Sequence, residues 1–195
     1  MRRIFFMPRV GVPSDVAAIR SALAAVLNTS YENGMRVGDA KFGVYAFYDY
    51  DGEPIYVGQT SEKLRVRIRR HLTNHRTDAV AMNVLDPFEV FEVEMWPLWD
   101  LQGVSPKEAG QYLNAAEYTV FSELLSASTF GAVLNEKDMV KANQVELPPS
   151  IRACIIPEDL RDSRKHPDVR IARRAGTIAS LAKVIRACFI NTFAA

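Results

Sequence analysis

From residue 42 to residue 60 the chain reads Phe-Gly-Val-Tyr-Ala-Phe-Tyr, a turn, then Pro-Ile-Tyr-Val-Gly-Gln-Thr. Aromatic and β-branched residues fill both segments, which is strand composition. Asp49-Tyr50-Asp51-Gly52-Glu53 separates them, and Asp-Gly favours the positive φ of a tight turn. Pro54 is acceptable at the first position of an edge strand. The stretch is therefore an antiparallel hairpin with strands over 42–48 and 54–58. Each arm carries a tyrosine near a glycine, in Gly43-Val44-Tyr45 and Tyr56-Val57-Gly58.

A basic helix follows directly. Ser61 is its expected N-cap, with Glu62 in the first turn. Leu64, Ile68 and Leu72 recur every fourth position and define a buried stripe. Arg67 and His71 precede Ile68 and Leu72 by one residue, so they share a face at the stripe's margin. Phenol, guanidinium and imidazole groups then meet on one small surface, a set suited to a phosphodiester. Lys63, Arg65, Arg69 and Arg70, with His75 and Arg76 beyond them, read as solvated charges or as nonspecific contacts to nucleic-acid phosphates.

Elsewhere, a helix opens at Pro13-Ser14-Asp15 with Ser14 as N-cap and Ile19, Leu23, Val26 and Leu27 as its stripe. Residues 88–95 alternate imperfectly and read as a third strand. Residues 106–126 form a long helix whose apolar face holds Leu113, Ala116, Val120, Phe121, Leu124 and Leu125. Glu117 falls inside that face. A carboxylate there is costly unless it is paired or holds a metal; an internal ion pair with Arg67 is the alternative. After a proline-punctuated connector, a last helix is expected over about 168–193, with Ile178, Leu181, Ile185 and Phe189 as its seam.

The chain has 195 residues, 48% of them hydrophobic, enough for one domain with a core and an extension. A net charge of +1 names no partner, but its distribution is uneven. Residues 41–145 hold 10 Lys+Arg against 15 Asp+Glu, and residues 146–195 hold 9 against 5. Cys154 and Cys188 fit no metal-ligand spacing and read as free thiols in a reducing compartment. The apolar run at residues 4–7 is too short for a signal-peptide core. Lys183 and Arg186 interrupt the apolar C-terminal stretch, so no membrane span is expected. These features fit a soluble, cytoplasmic protein.

Taken in order, Gly43-Val44-Tyr45, Tyr56-Val57-Gly58, Arg67, His71, Glu117 and Asn135 resemble the GIY-YIG nuclease family over about residues 42–136. Valine stands at the centre of both paired motifs. The resemblance implies an α+β fold, a three-stranded antiparallel sheet flanked by helices. A helical segment (1–41) would precede it and a helical C-terminal extension (137–195) would follow. It also implies hydrolysis of DNA with one divalent cation, Mg²⁺ with Mn²⁺ as substitute, ligated by Glu117. Arg67 would hold the scissile phosphate, with Arg65 as the competing choice of register. Tyr45 or Tyr56 would position the attacking water, and His71 is the rival to a tyrosine as its base. A free tyrosine titrates near about 10, so a tyrosine base would need help from Arg67 or the cation. Asn135 matches the family's supporting polar residue.

The expected function is a metal-dependent DNA endonuclease, leaning towards a restriction-like or defence enzyme. The alternative is a catalytically inactive nucleic-acid-binding module of the same fold. The C-terminal helix is expected to pack on the domain or form a homodimer, or else the C-terminal region contacts DNA through Arg161, Arg164, Lys165, Arg170, Arg173 and Arg174. Tyr45, Tyr56, Arg67, His71 and Glu117 are expected to converge on one concave surface.

Overall fold

The computed structural model describes residues 11–73, 85–131, 133, 135, 139–172, 174–176 and 178–179. Four strands form one antiparallel sheet: β1 (Gly43–Tyr48), β2 (Pro54–Thr60), β3 (Glu92–Pro97) and β4 (Ile151–Cys154), in the order β2-β1-β3-β4. The helices among the described residues include α1 (Ser14–Leu27), α2 (Leu64–Thr73), α3 (Pro106–Ala127) and α4 (Glu158–Lys165). The fold is α+β as expected, with one strand more than the three read from sequence.

The extra strand, β4, comes from the region expected to be a helical extension. It is only four residues long and lies between Pro148-Pro149 and Pro157, so its local signal is that of a connector. The third strand also begins later than expected. Asp86 Oδ1 accepts from the Phe88 N–H at 2.9 Å, and the Glu89 N–H reaches the Asp86 carbonyl at 3.0 Å. This Asx turn takes residues 86–89 out of the sheet.

The sheet buries both faces. Tyr45, Phe47 and Tyr56 pack with Leu64 and Ile68 of α2 and with Leu23 and Leu27 of α1. On the opposite face, Val44, Ala46, Tyr48 and Val57 pack with Leu113, Ala116 and Val120 of α3. The period-2 alternation of β1 thus serves two cores at once. α3 is the best-defined helix by local chemistry: Ser105 caps it, Pro106 opens it, and Glu108 closes a reciprocal capping box.

The other two expected caps are not used. Ser14 lies inside α1, whose N-cap position is Pro13. Ser61 and Glu62 precede α2, whose first helical N–H, from Arg67, bonds the Lys63 carbonyl. Glu62 pairs instead with Arg70 at 2.7 Å.

Residues 167–172, 174–176 and 178–179 are helical, which accounts for part of the helix expected over 168–193. Ile178 is exposed, and Leu181, Ile185, Phe189, Arg173 and Cys188 lie outside the described residues. Nothing among the described residues supports a homodimer. No described helix is long and apolar enough to cross a membrane.

Candidate active site

β2 is an edge strand, and the site is assembled on its edge, where the two sheet faces meet. Tyr45 stands directly opposite Gly58 in the β1–β2 register. A Cβ at Gly58 would lie 2.5 Å from the Tyr45 hydroxyl oxygen and 2.9 Å from Cε1 of Tyr56. Glycine is required because the Tyr45 phenol occupies the space a side chain would take. Gly43 has a similar reason, since a Cβ there would lie 2.9 Å from the Trp96 carbonyl oxygen. The paired tyrosine–glycine motifs are thus a packing device as well as a chemical one.

Tyr45 is fully buried and His71 is 1% exposed. The His71 ring lies 5.8 Å from that of Tyr45 and 5.3 Å from that of Tyr56, centroid to centroid. Phe47 closes the group by stacking on Tyr56 at 5.9 Å. This corrects two expectations. His71 is not at the margin of the α2 stripe but within it: Leu64, Ile68 and His71 are the deeply buried positions, and Leu72 is only half-buried. Spacing of four then three follows the 3.6-residue turn better than a strict repeat of four. The five residues also do not lie together on an open concave surface. Tyr45, Tyr56 and His71 form a buried triangle, while Arg67 and Glu117 are half-buried beside it.

Arg67 and Glu117 nevertheless both act electrostatically on the same phenol. The Tyr45 hydroxyl lies close to Arg67 and Tyr56 without a hydrogen bond of standard geometry. Burial raises its pKa well above the ordinary tyrosine value, with the Glu117 carboxylate adding to the rise and Arg67 and Tyr56 opposing it. Glu117 itself is pushed up to about 7 by burial; hydrogen bonds from the Gln59 side chain and backbone, and the more distant Arg67 charge, oppose this. α2 and α3 cover opposite faces of the sheet, yet a residue of each acts on one hydroxyl across the β2 edge.

The β2 edge also explains Asn135. Its Oδ1 accepts from the Val57 N–H at 3.1 Å, and its Nδ2 donates to the Val57 carbonyl at 3.0 Å. The amide takes the place of a fifth strand for one residue and fixes the Tyr56-Val57-Gly58 backbone. Asn135 was expected among the catalytic residues; these two hydrogen bonds join its amide to the Val57 main chain.

The basic helix divides by function. Arg65 bonds Asp39 at 3.1 and 3.2 Å and the Leu27 carbonyl at 3.3 Å, tying α2 to the end of α1. It is therefore turned to Asp39 and the end of α1. Lys63 also pairs with Asp39, at 3.2 Å. Arg70 is engaged by Glu62, and Arg69 is exposed. His75 and Arg76 lie outside the described residues.

Two polar residues at the site carried no sequence argument. Gln59 follows Gly58 on β2, and its amide groups oppose the rise in the Glu117 pKa. Asn114, three residues before Glu117 on α3, accepts from Gln59 Nε2 at 2.7 Å. The one available signal was the i, i+3 spacing that puts Asn114 beside Glu117 on the helix.

Residues 41–119 match the family model of the GIY-YIG catalytic domain. The chain therefore contains a GIY-YIG domain, a nuclease type of domain, and the matched span includes Tyr45, Tyr56, Arg67, His71 and Glu117. No curated protein and no solved structure matches the chain.

Proposed function

We propose that the protein is a metal-dependent endonuclease that hydrolyses DNA phosphodiester bonds at the β2 edge. What supports this reading is that Arg67 and Glu117, on helices that cover opposite faces of the sheet, both act electrostatically on the buried Tyr45 hydroxyl.

A hard divalent cation fits the residues present. Glu117 is a largely buried carboxylate whose pKa is raised to about 7 by burial, so a nearby positive charge would be well received. Among the described residues there is no group of three or more His, Cys, Asp or Glu able to hold a metal. Glu117 would be its carboxylate ligand, a hard oxygen donor that suits Mg²⁺, or Mn²⁺ in its place, with water and phosphate oxygens completing the shell. When bound, the cation supplies Lewis acidity at the phosphate oxygens.

The chain's own groups do the rest. Arg67 presents a planar fork to the scissile phosphate and stabilises the charge that grows on it. Tyr45, with its pKa raised by burial, stays a neutral phenol at neutral pH and orients the attacking water by hydrogen bonding. Tyr56 and His71 hold that phenol from the side of the aromatic cluster and are the groups through which a proton can leave. Asn135 keeps the β2 backbone in register.

Supercoiled plasmid incubated with Mg²⁺ and with EDTA tests the reading, wild type beside Glu117→Ala and Arg67→Ala. Nicking that needs the metal and is lost in both variants supports it. Plasmid binding without any cleavage would replace it with a nucleic-acid-binding module.

A further inference from the structure

The β2 edge continues into an open groove of about 810 Å³, within the usual size of a ligand cleft. Gln59 and Asn114, the amide pair that adjoins Glu117, form one end of its lining, and Lys41 and Phe42 line it as well. Its walls contain no carboxylate, and Lys41 is the one formal charge among its lining residues. Lys41 Nζ stands 5.2 Å from the centre of the Phe42 ring.

Two other clefts among the described residues contrast with it. The cleft beside Tyr31 and Tyr112 is lined by Glu32, Asp100 and Glu146, which repel a polyanion. The cleft beneath α1 is mostly apolar and shares no residue with the site. Of these three, the groove next to Glu117 is the one that combines contact with the site, a cation and no opposing charge.

Its chemistry also specifies an occupant. Side-chain amides present a donor and an acceptor on one planar group, the pattern that pairs with the edges of nucleobases. Gln59 Nε2 is held by Asn114 Oδ1, and Asn114 is exposed, so its amide is open to a ligand in the groove. An aromatic ring with a lysine beside it offers a stacking surface and a phosphate contact together. We infer that this groove receives the nucleobase of a nucleotide flanking the scissile phosphodiester, held by the Gln59–Asn114 amide pair and by Phe42 and Lys41. The inference rests on the nuclease reading of the adjacent site and adds to it a base-recognising subsite.

Gly110 gives a clean probe. It lines the groove from within α3, and a Cβ there would meet nothing within 4 Å. Gly110→Leu puts a side chain into the groove and replaces a poor helix former by a good one, so the fold is retained. The probes are a fluorescein-labelled tetradeoxynucleotide and its fully abasic counterpart, titrated by anisotropy in EDTA so that nothing is cut. Wild type should bind the base-bearing probe about tenfold more tightly than the abasic one, the scale of one stacked base. Gly110→Leu should bind both as wild type binds the abasic probe. Equal or undetectable binding of both probes by wild type, or full discrimination by a folded Gly110→Leu, overturns the inference. Plasmid nicking separates the two claims. Base discrimination without metal-dependent nicking removes the nuclease reading and leaves the subsite; nicking without discrimination does the reverse.

Discussion

Among the described residues, two carboxylates have opposite surroundings, Asp49 on the β1–β2 turn and Glu117 at the β2 edge. On the turn, buried Asp49 accepts from the backbone N–H groups of Asp51 and Glu53 at 2.8 and 3.0 Å, and Arg174 pairs with its other oxygen. Arg170 pairs with Asp51, and its hydrogen bond holds that carboxyl below the usual range. At the β2 edge, Glu117 has amide donors from Gln59 and a weaker pull from Arg67, and burial wins, raising it to about 7. A carboxylate closed off by arginines is a lock between chain segments. A carboxylate buried among neutral donors is short of positive charge, and that shortage is what a cation would fill.

The same contrast assigns the arginines. Arg170 and Arg174 were candidate DNA contacts by composition, yet they fasten the C-terminal segment to the hairpin turn. Glu53 fastens the end of α3 to the same turn, accepting from Ser128 Oγ and from the Thr129 and Phe130 N–H groups. The turn is a structural hub, and the β2 edge is where chemistry remains available.

Substitutions should separate the two sites, from the largest effect to the smallest. Glu117→Ala should reduce metal-dependent plasmid cleavage on the order of a thousandfold, the several kcal/mol a metal contributes to the transition state; a rate within tenfold of wild type would remove Glu117 from the chemistry. Arg67→Ala should cost roughly a hundredfold or more in kcat. Arg67→Lys should recover only part of that, because a point charge does not reproduce the fork.

Asp49→Ala should act on stability instead. Loss of the buried pair predicts a fall of about 2–4 kcal/mol in urea unfolding, with cleavage by the folded variant unchanged. A cleavage defect in folded Asp49→Ala would erase the distinction between lock and site.

Glu117→Gln should move stability in the opposite direction when metal is absent. The native carboxyl titrates near 7 against an unperturbed value of 4.5, so the folded state binds its proton more tightly than the unfolded state does. Stability therefore falls as pH rises from 4.5 to 7, and the deficit remains above that. Metal-free Glu117→Gln should gain about 1–3 kcal/mol over wild type at alkaline pH, and the gain should vanish at acid pH, measured by thermal or urea melts. Lys63→Ala should do least: its exposed pair with Asp39 predicts a change within about 1 kcal/mol.

Much of the site was legible because its chemistry sits on regular elements. The hairpin, the long helix and the order of Tyr45, Tyr56, Arg67, His71 and Glu117 followed from periodicity and motif. What escaped depended on partners distant in sequence. β4 is a strand only because β3 accepts it. The burial of His71 depends on aromatic rings from β1 and β2. Arg65 and Arg67 are near neighbours with similar local sequence, and only Asp39 and the end of α1 distinguish them. Asn135 acts through the Val57 main chain, which no side-chain pattern records, and Gln59 with Asn114 is an amide pair formed across 55 residues.

On the proposed function, Glu117 is a carboxylate kept short of positive charge so that it can hold a cation. Mn²⁺ binding, followed by loss of the free-ion EPR signal from about pH 5.5 to about pH 8.5, tests this most directly, since proton and metal compete for one carboxylate. Affinity should rise with pH, level off above about 7, and be lost in Glu117→Gln. Wild-type binding that ignores pH across that range, or Mn²⁺ bound equally well by Glu117→Gln, would contradict it.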